Sequence, residues 1–179
     1  LSRLSGKNMK YSIDKRPIIS DCYRTFELKK RSGGTRQINA PSVELKLILK
    51  CIDVLVRNIS EPHHCATGFI ESKSIVDNAS AHLGKNYVYN IDLKDFFHSF
   101  DLNKIKMGFY REPFGLSGER EPLAFDLACL VTYIIDDRRV LPQGSPASPA
   151  ITNYLCIRLD RRLNGLAKRF GASYTRYAD

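Results

Sequence analysis

The sequence predicts an α+β fold, on three observations. Near the start, TFELKK and TRQINA flank Ser32-Gly33-Gly34, a hairpin pattern in which glycine supplies the positive φ angles of a tight turn. Tyr87 to Leu93 and the final SYTRYAD carry the β-branched and aromatic residues that favour strands. Between them lie segments with apolar residues at spacings of three and four, the mark of helices that bury one face. An antiparallel sheet packed on helices is the expectation.

In chain order, residues 1–22 are basic and polar and give no firm element. The hairpin spans Tyr23 to Ala40, with Lys29, Lys30, Arg31 and Arg36 crowded at its tip. A solvated turn and a phosphate clamp both suit such a cluster. Ser42 is placed to cap a helix whose stripe is Leu45, Leu49, Ile52, Val56 and Ile59, ended by Glu61-Pro62. Ser74 caps a shorter helix through Leu83, closed by Gly84. Asn78 and His82, four apart, share one face of it, and spacing alone makes His82 structural.

The central strand, Tyr87 to Leu93, alternates Tyr87, Tyr89 and Ile91 against Val88, Asn90 and Asp92. It carries Asp92 to its open end, since an unpaired buried charge costs too much. Asp101 caps a helix to about Tyr110, and Pro122 begins another with Leu123, Leu127, Leu130 and Ile134 on its stripe. Asp136-Asp137 turns into RRVLPQGSPASP, which excludes regular helix or a central strand. Ser148-Pro149 starts a helix with Ile151, Leu155, Leu159, Leu163 and Leu166 inward and Arg158, Arg161, Arg162, Lys168 and Arg169 outward. Gly171 stops it.

Bulk properties narrow the function. The 179 residues are 43% hydrophobic, enough for one sizeable domain or two small interleaved ones. Lys plus Arg number 28 against 19 Asp plus Glu, a net charge of +9 that favours a polyanionic partner. The five cysteines are scattered without a CxxC pair, which argues against a disulfide framework or a zinc knuckle. His63, His64 and Cys65 are adjacent and are expected not to converge on a metal. No apolar run of membrane-spanning length is present, and LSRLSGKNMK lacks a signal-peptide core, so a cytoplasmic protein without a membrane partner is expected. The start at Leu1 and the stop within YTRYAD suggest a piece of a longer chain.

Asp92 and Asp179 each end a strand-like segment. Antiparallel neighbours would bring the two carboxylates together, and such a pair is stable only with a cation between them. In a two-metal site one ion activates an attacking hydroxyl, and the other holds a triphosphate and its leaving pyrophosphate. A basic chain with a central acidic pair fits nucleotidyl transfer.

IDLKDFF, LPQGSPASPAITNYLCIRLD and YTRYAD, in this order, resemble the catalytic motifs of bacterial reverse transcriptases, the last matching the start of their YADD motif. Asn78-Ala79-Ser80-Ala81-His82 is similar to the NAxxH signature of the retron type. The resemblance implies a right-hand polymerase: residues 1–87 and 106–145 as fingers, 88–105 and 146–179 as palm, and the thumb beyond Asp179. It implies Asp92 and Asp179 as catalytic metal ligands, with the Leu93 carbonyl beside them, holding two Mg²⁺ ions with Mn²⁺ as the substitute. Phe97 would lie under the sugar of an incoming deoxynucleotide, with Phe96 beside it or in the core. Gln143 would touch the nucleotide, Arg36 its phosphates, and Asp95 would lie near the triphosphate. Lys29, Lys30, Arg31, Arg158 and Arg162 would contact nucleic acid. His98 departs from the proline usual at its position, which bears on turn geometry only.

The retron resemblance further implies RNA-directed synthesis of single-stranded DNA (msDNA) on a cognate structured non-coding RNA, primed from one of its 2′-hydroxyls. It also implies anti-phage defence with a separate effector protein. Polymerisation by the 179-residue piece alone is not expected. Group II intron and abortive-infection reverse transcriptases share the motifs and are the enzymatic alternative. A nucleic-acid-binding fragment without catalysis is the alternative of another class.

Overall fold

The computed structural model describes residues 22–29 and 33–179. Residues 1–21, and Lys30, Arg31 and Ser32 at the hairpin tip, lie outside them. The elements run β1 (Tyr23–Lys29), β2 (Thr35–Pro41), α1 (Val43–Ile59), α2 (Ile75–Ser80), α3 (Leu102–Tyr110), α4 (Glu121–Val131), β3 (Tyr133–Ile135), β4 (Arg138–Val140), α5 (Ser148–Leu155) and α6 (Ile157–Arg169). Among the described residues β1 pairs antiparallel with β2, and β3 with β4, as two separate sheets. Helices with small antiparallel sheets make the class α+β.

Local chemistry explains the elements that match expectation. The Ser42 hydroxyl accepts from the Leu45 N–H (3.3 Å) and opens α1. Ser74 and Asp77 form a reciprocal capping box at the start of α2. Asp101 accepts from the Lys104 N–H (2.8 Å) and opens α3. The α1 residues Leu45, Leu49, Ile52 and Val56 form one core with Ile105 and Phe109 of α3, Ala124, Ala128 and Val131 of α4, and Ile151 of α5. Each large side chain buried there contributes about 1.5–3 kcal/mol.

Several expectations fail. Tyr87–Leu93 forms no strand among the described residues: it has no regular structure, with Tyr87 94% and Tyr89 88% exposed. A strand needs a hydrogen-bonded neighbour, and among the described residues none lies beside this segment. Among the described residues the final stretch makes only an isolated parallel bridge, Ala66 with Arg176, and the expected antiparallel palm strands are not paired there. Ile134 belongs to β3, because α4 closes at Val131 and the Thr132 hydroxyl donates back to the Ala128 carbonyl (2.7 Å). Asp136 and Asp137 both have positive φ (48° and 59°), the geometry that turns β3 into β4. α2 stops at Ser80, and Ile59, expected on the apolar stripe of α1, is 43% exposed.

The long helix expected from Ser148 breaks at Cys156 into α5 and α6. Ser148 is not its cap but its first residue, and its hydroxyl donates to the Pro142 carbonyl (2.8 Å). On α6 the inward position goes to Asp160, while Leu159, Leu163 and Leu166 are exposed. A fully buried carboxylate displaces an apolar stripe only if it is paired, and Arg176 pairs it.

His63, His64 and Cys65 also correct the expectation: their ligand atoms all lie within 4.8 Å of one another. Their chemistry is otherwise engaged. The Cys65 N–H points to His63 Nδ1 (3.5 Å), and His64 Nε2 lies 3.4 Å from Asn164 Nδ2. Burial raises the Cys65 thiol pKa, which opposes the thiolate a metal would need.

Candidate active site

A cleft of ≈ 910 Å³ collects residues from four separate stretches of the chain. Asp92, Leu93, Asp95, Phe96 and Phe97 come from the irregular segment before α3 and the turn within it. Arg36 comes from β2, Gln143 from the LPQG loop, and Asp179 from the final stretch. Every residue expected at the metal or the nucleotide therefore lines one space. Lys29, Arg158 and Arg162 do not line it and are exposed elsewhere, while Lys30 and Arg31 are outside the described residues.

Backbone contacts fix this convergence. The Asn39 N–H donates to the Gln143 carbonyl (2.8 Å), joining the LPQG loop to β2. Gly144 has φ +119°, and a Cβ there would sit 2.9 Å from both the Asn39 carbonyl oxygen and Ile38 Cγ2. Only glycine permits that approach, so the G of LPQG seats Gln143 against the hairpin. On the opposite wall, Asp95 has φ +51° and starts a tight turn whose carbonyl accepts from the Ser99 N–H (2.9 Å). The Leu141 N–H donates to the Phe100 carbonyl (2.9 Å), locking that turn onto the end of β4.

The two phenylalanines differ. Phe96 is 5% exposed and meets Phe100 edge-on, with ring centroids 5.2 Å apart. Phe97 is half-buried, supported by Phe69 (6.2 Å) and Phe96 (5.6 Å), and presents part of its ring to the cleft. Phe96 is thus chiefly a core aromatic behind Phe97.

The lining contains four acids, Asp92, Asp95, Asp136 and Asp179, facing four cations, Arg36, Lys94, Lys104 and Arg138. Sequence reading had not placed Asp136, Lys94, Lys104 or Arg138 here. The Asp136-Asp137 turn was the available signal for two of them, since it carries Arg138 directly after it. Among the described residues, Asp92 and Asp179 accept no hydrogen bond and join no ion pair. Exposed carboxylates that pair with no described residue are oxygen donors of the kind a hard divalent cation prefers, so the residues present fit such an ion. His98 also lines the cleft; burial lowers its pKa, against the opposing effect of Asp95 and Asp136.

The final stretch is held from below by polar contacts. His82 Nε2 and Thr175 Oγ1 share a hydrogen bond of 2.7 Å. The Thr67 hydroxyl reaches both Asn78 Oδ1 (2.9 Å) and the Arg176 carbonyl (3.2 Å). Asn78 and His82 thus both brace the segment that leads to Asp179, which spacing on one helix could not reveal.

Residues 28–179 match the family described as Reverse transcriptase (RNA-dependent DNA polymerase). This chain belongs to the reverse transcriptase family. Among its curated relatives, Retron Mx162 reverse transcriptase of Myxococcus xanthus is 40% identical over 166 residues, covering 88% of this chain and 34% of the relative. Retron Mx65 reverse transcriptase, from the same organism, is 37% identical over 88% of this chain and 39% of its own length. Retron Ec86 reverse transcriptase of Escherichia coli is 36% identical over 88% of this chain and 47% of its own length. The chain therefore spans about a third to a half of the length of these relatives. No helix among its described residues is long and apolar enough to cross a membrane.

Proposed function

We propose that this chain carries the nucleotidyl-transfer centre of a retron-type RNA-directed DNA polymerase. The observation that carries the reading is the convergence of Asp92, Asp179, Arg36, Phe97 and Gln143 on one cleft. Asp92, Asp179 and the Leu93 carbonyl would hold two Mg²⁺ ions, with Mn²⁺ as substitute. When bound, the ions supply activation of the attacking 3′-hydroxyl and charge compensation for the triphosphate.

The chain's own residues bind and orient. Arg36 and Arg138 offer guanidinium groups to the triphosphate, suited to its paired oxygens. Phe97 closes the space where a 2′-hydroxyl would lie, and Phe96 supports it. Gln143 contacts the incoming deoxynucleotide, and Asp95 sits at the edge of the triphosphate site. Lys29, Lys30, Arg31, Arg158 and Arg162 track the phosphates of the RNA template and DNA product through charge. In this reading 1–87 and 106–145 form fingers, and 88–105 and 146–179 form palm. The complete protein works in the cytoplasm with a cognate non-coding RNA, makes msDNA and acts with an effector in phage defence.

Primer extension by the complete protein, purified with its bound nucleic acid, tests this. Mg²⁺-dependent incorporation of deoxynucleotides and a covalently branched RNA–DNA product are expected. Intron RNA or untemplated DNA in the preparation supports the other bacterial reverse transcriptases instead. A complete protein that binds RNA but extends no primer would leave the binding-module reading.

A further inference from the structure

Arg176 stands at the centre of a network around the backbone that leads to Asp179. Its Nε donates to Asp160 Oδ1 (2.9 Å), and its Nη2 donates to Asp160 Oδ2 (2.9 Å) and Asn153 Oδ1 (3.0 Å). Its Nη1 donates to the Ala178 carbonyl (2.7 Å). Arg176 is 5% exposed and Asp160 0%. Such a buried pair is weak evidence for stability, because desolvation offsets most of the attraction. Its geometric effect is less ambiguous: a planar guanidinium fixed along one edge by a carboxylate leaves Nη1 a single direction.

That direction ends on the residue before Asp179. Ala178 has φ +70°, a conformation that an alanine adopts only when its surroundings impose it. A second contact constrains the same residue. Gly68 packs so closely that a Cβ would run into the Ala178 backbone nitrogen and lie 3.0 Å from the Tyr177 carbonyl carbon. Asn153 links both contacts, since its Nδ2 donates to the Gly68 carbonyl (3.0 Å) while its Oδ1 accepts from Arg176.

We propose that Arg176 is a positioning residue: locked by Asp160 and Asn153, it holds the Ala178 carbonyl and so sets the direction in which Asp179 meets the cleft. This rests on the reading of Asp179 as a metal-holding carboxylate. A divalent ion with strict octahedral demands is sensitive to a small displacement of one ligand.

The test uses the complete protein. Arg176→Lys keeps the positive charge beside Asp160 but cannot reach Asp160, Asn153 and Ala178 together. Gly68→Ala crowds the Ala178 backbone without touching the ion pair. Tyr174→Phe removes a hydrogen bond to the same Asp160 (3.0 Å) that does not extend to Ala178. Arg176→Lys and Gly68→Ala are each expected to lower kcat about tenfold or more, raise the Mg²⁺ concentration for half-maximal rate and leave the deoxynucleotide KM nearly unchanged. Mn²⁺ binding without substrate, followed by electron paramagnetic resonance, should weaken in both, while Tyr174→Phe stays near wild type.

Folded Arg176→Lys and Gly68→Ala with wild-type kcat and Mn²⁺ affinity overturn the proposal. If Arg176→Lys fails to fold, Gly68→Ala alone decides. Asp179→Asn separates the two claims. If it keeps wild-type kcat, the reading of Asp179 is wrong. If it is inactive while the other two behave as wild type, Asp179 stands and the positioning role falls.

Discussion

Phe97 both packs, with its ring 6.2 Å from Phe69 and 5.6 Å from Phe96, and lines the cleft. Phe97→Ala in the complete protein is therefore expected to increase ribonucleotide incorporation relative to deoxynucleotide, measured as the ratio of kcat/KM values. Because the ring is only half-buried, the stability loss should fall below the about 3–5 kcal/mol of a fully buried Phe→Ala. An unchanged sugar preference would remove the steric role and leave Phe97 a packing residue. His98 illustrates how residue type alone misleads. The sequence reads it only as a departure in turn geometry; in the structure it is partly buried beside the cleft, and burial depresses its pKa so that its ring favours the neutral form. The sign follows: stability is intact above the ordinary value of 6.5 and declines as pH falls toward the lower folded value. His98→Asn should flatten that decline in melting temperature below pH 6.5.

At the scale of elements, short-range rules were readable in the sequence and pairing rules were not. Ser42, Ser74 and Asp101 cap helices as expected because capping involves residues two or three apart. The β1–β2 hairpin was legible for the same reason. Tyr87–Leu93 has strand chemistry without a described strand partner, and no local pattern reports on a partner. α6 failed differently. Its leucine periodicity was real, but the buried ion pair of Asp160 with Arg176 oriented the helix instead. The Asn78 and His82 pair lies between these cases: the sequence marked both residues, and only the fold shows that they brace Thr67 and Thr175. Loss of one such hydrogen bond is expected to cost about 0.5–1.5 kcal/mol. His82→Ala should accordingly lower the melting temperature of the complete protein, and an unchanged melting curve would show that the Thr175 contact carries no stability.

For the whole molecule, four separated stretches of the chain meet in the cleft. IDLKDFF, LPQG and YAD are short contiguous patterns that can be read locally, whereas the missing partner of Tyr87–Leu93 and the turning of α6 toward Arg176 depend on contacts outside each segment. The cations Lys94, Lys104 and Arg138 were illegible for the same reason, since nothing near them in sequence says which face they share with Asp92. The net charge of +9 suits a nucleic-acid partner, yet the cleft itself balances four acids against four cations. That balance fits a site completed by divalent ions and a triphosphate together. The most direct measurement of this claim is Mg²⁺-dependent primer extension by the complete protein carrying Asp92→Asn. If Asp92 holds the ion as proposed, its loss from a folded protein should reduce deoxynucleotide incorporation by at least about a hundredfold. Incorporation at the wild-type rate by a correctly folded Asp92→Asn protein would contradict the assignment of Asp92 and Asp179 as the metal-holding pair.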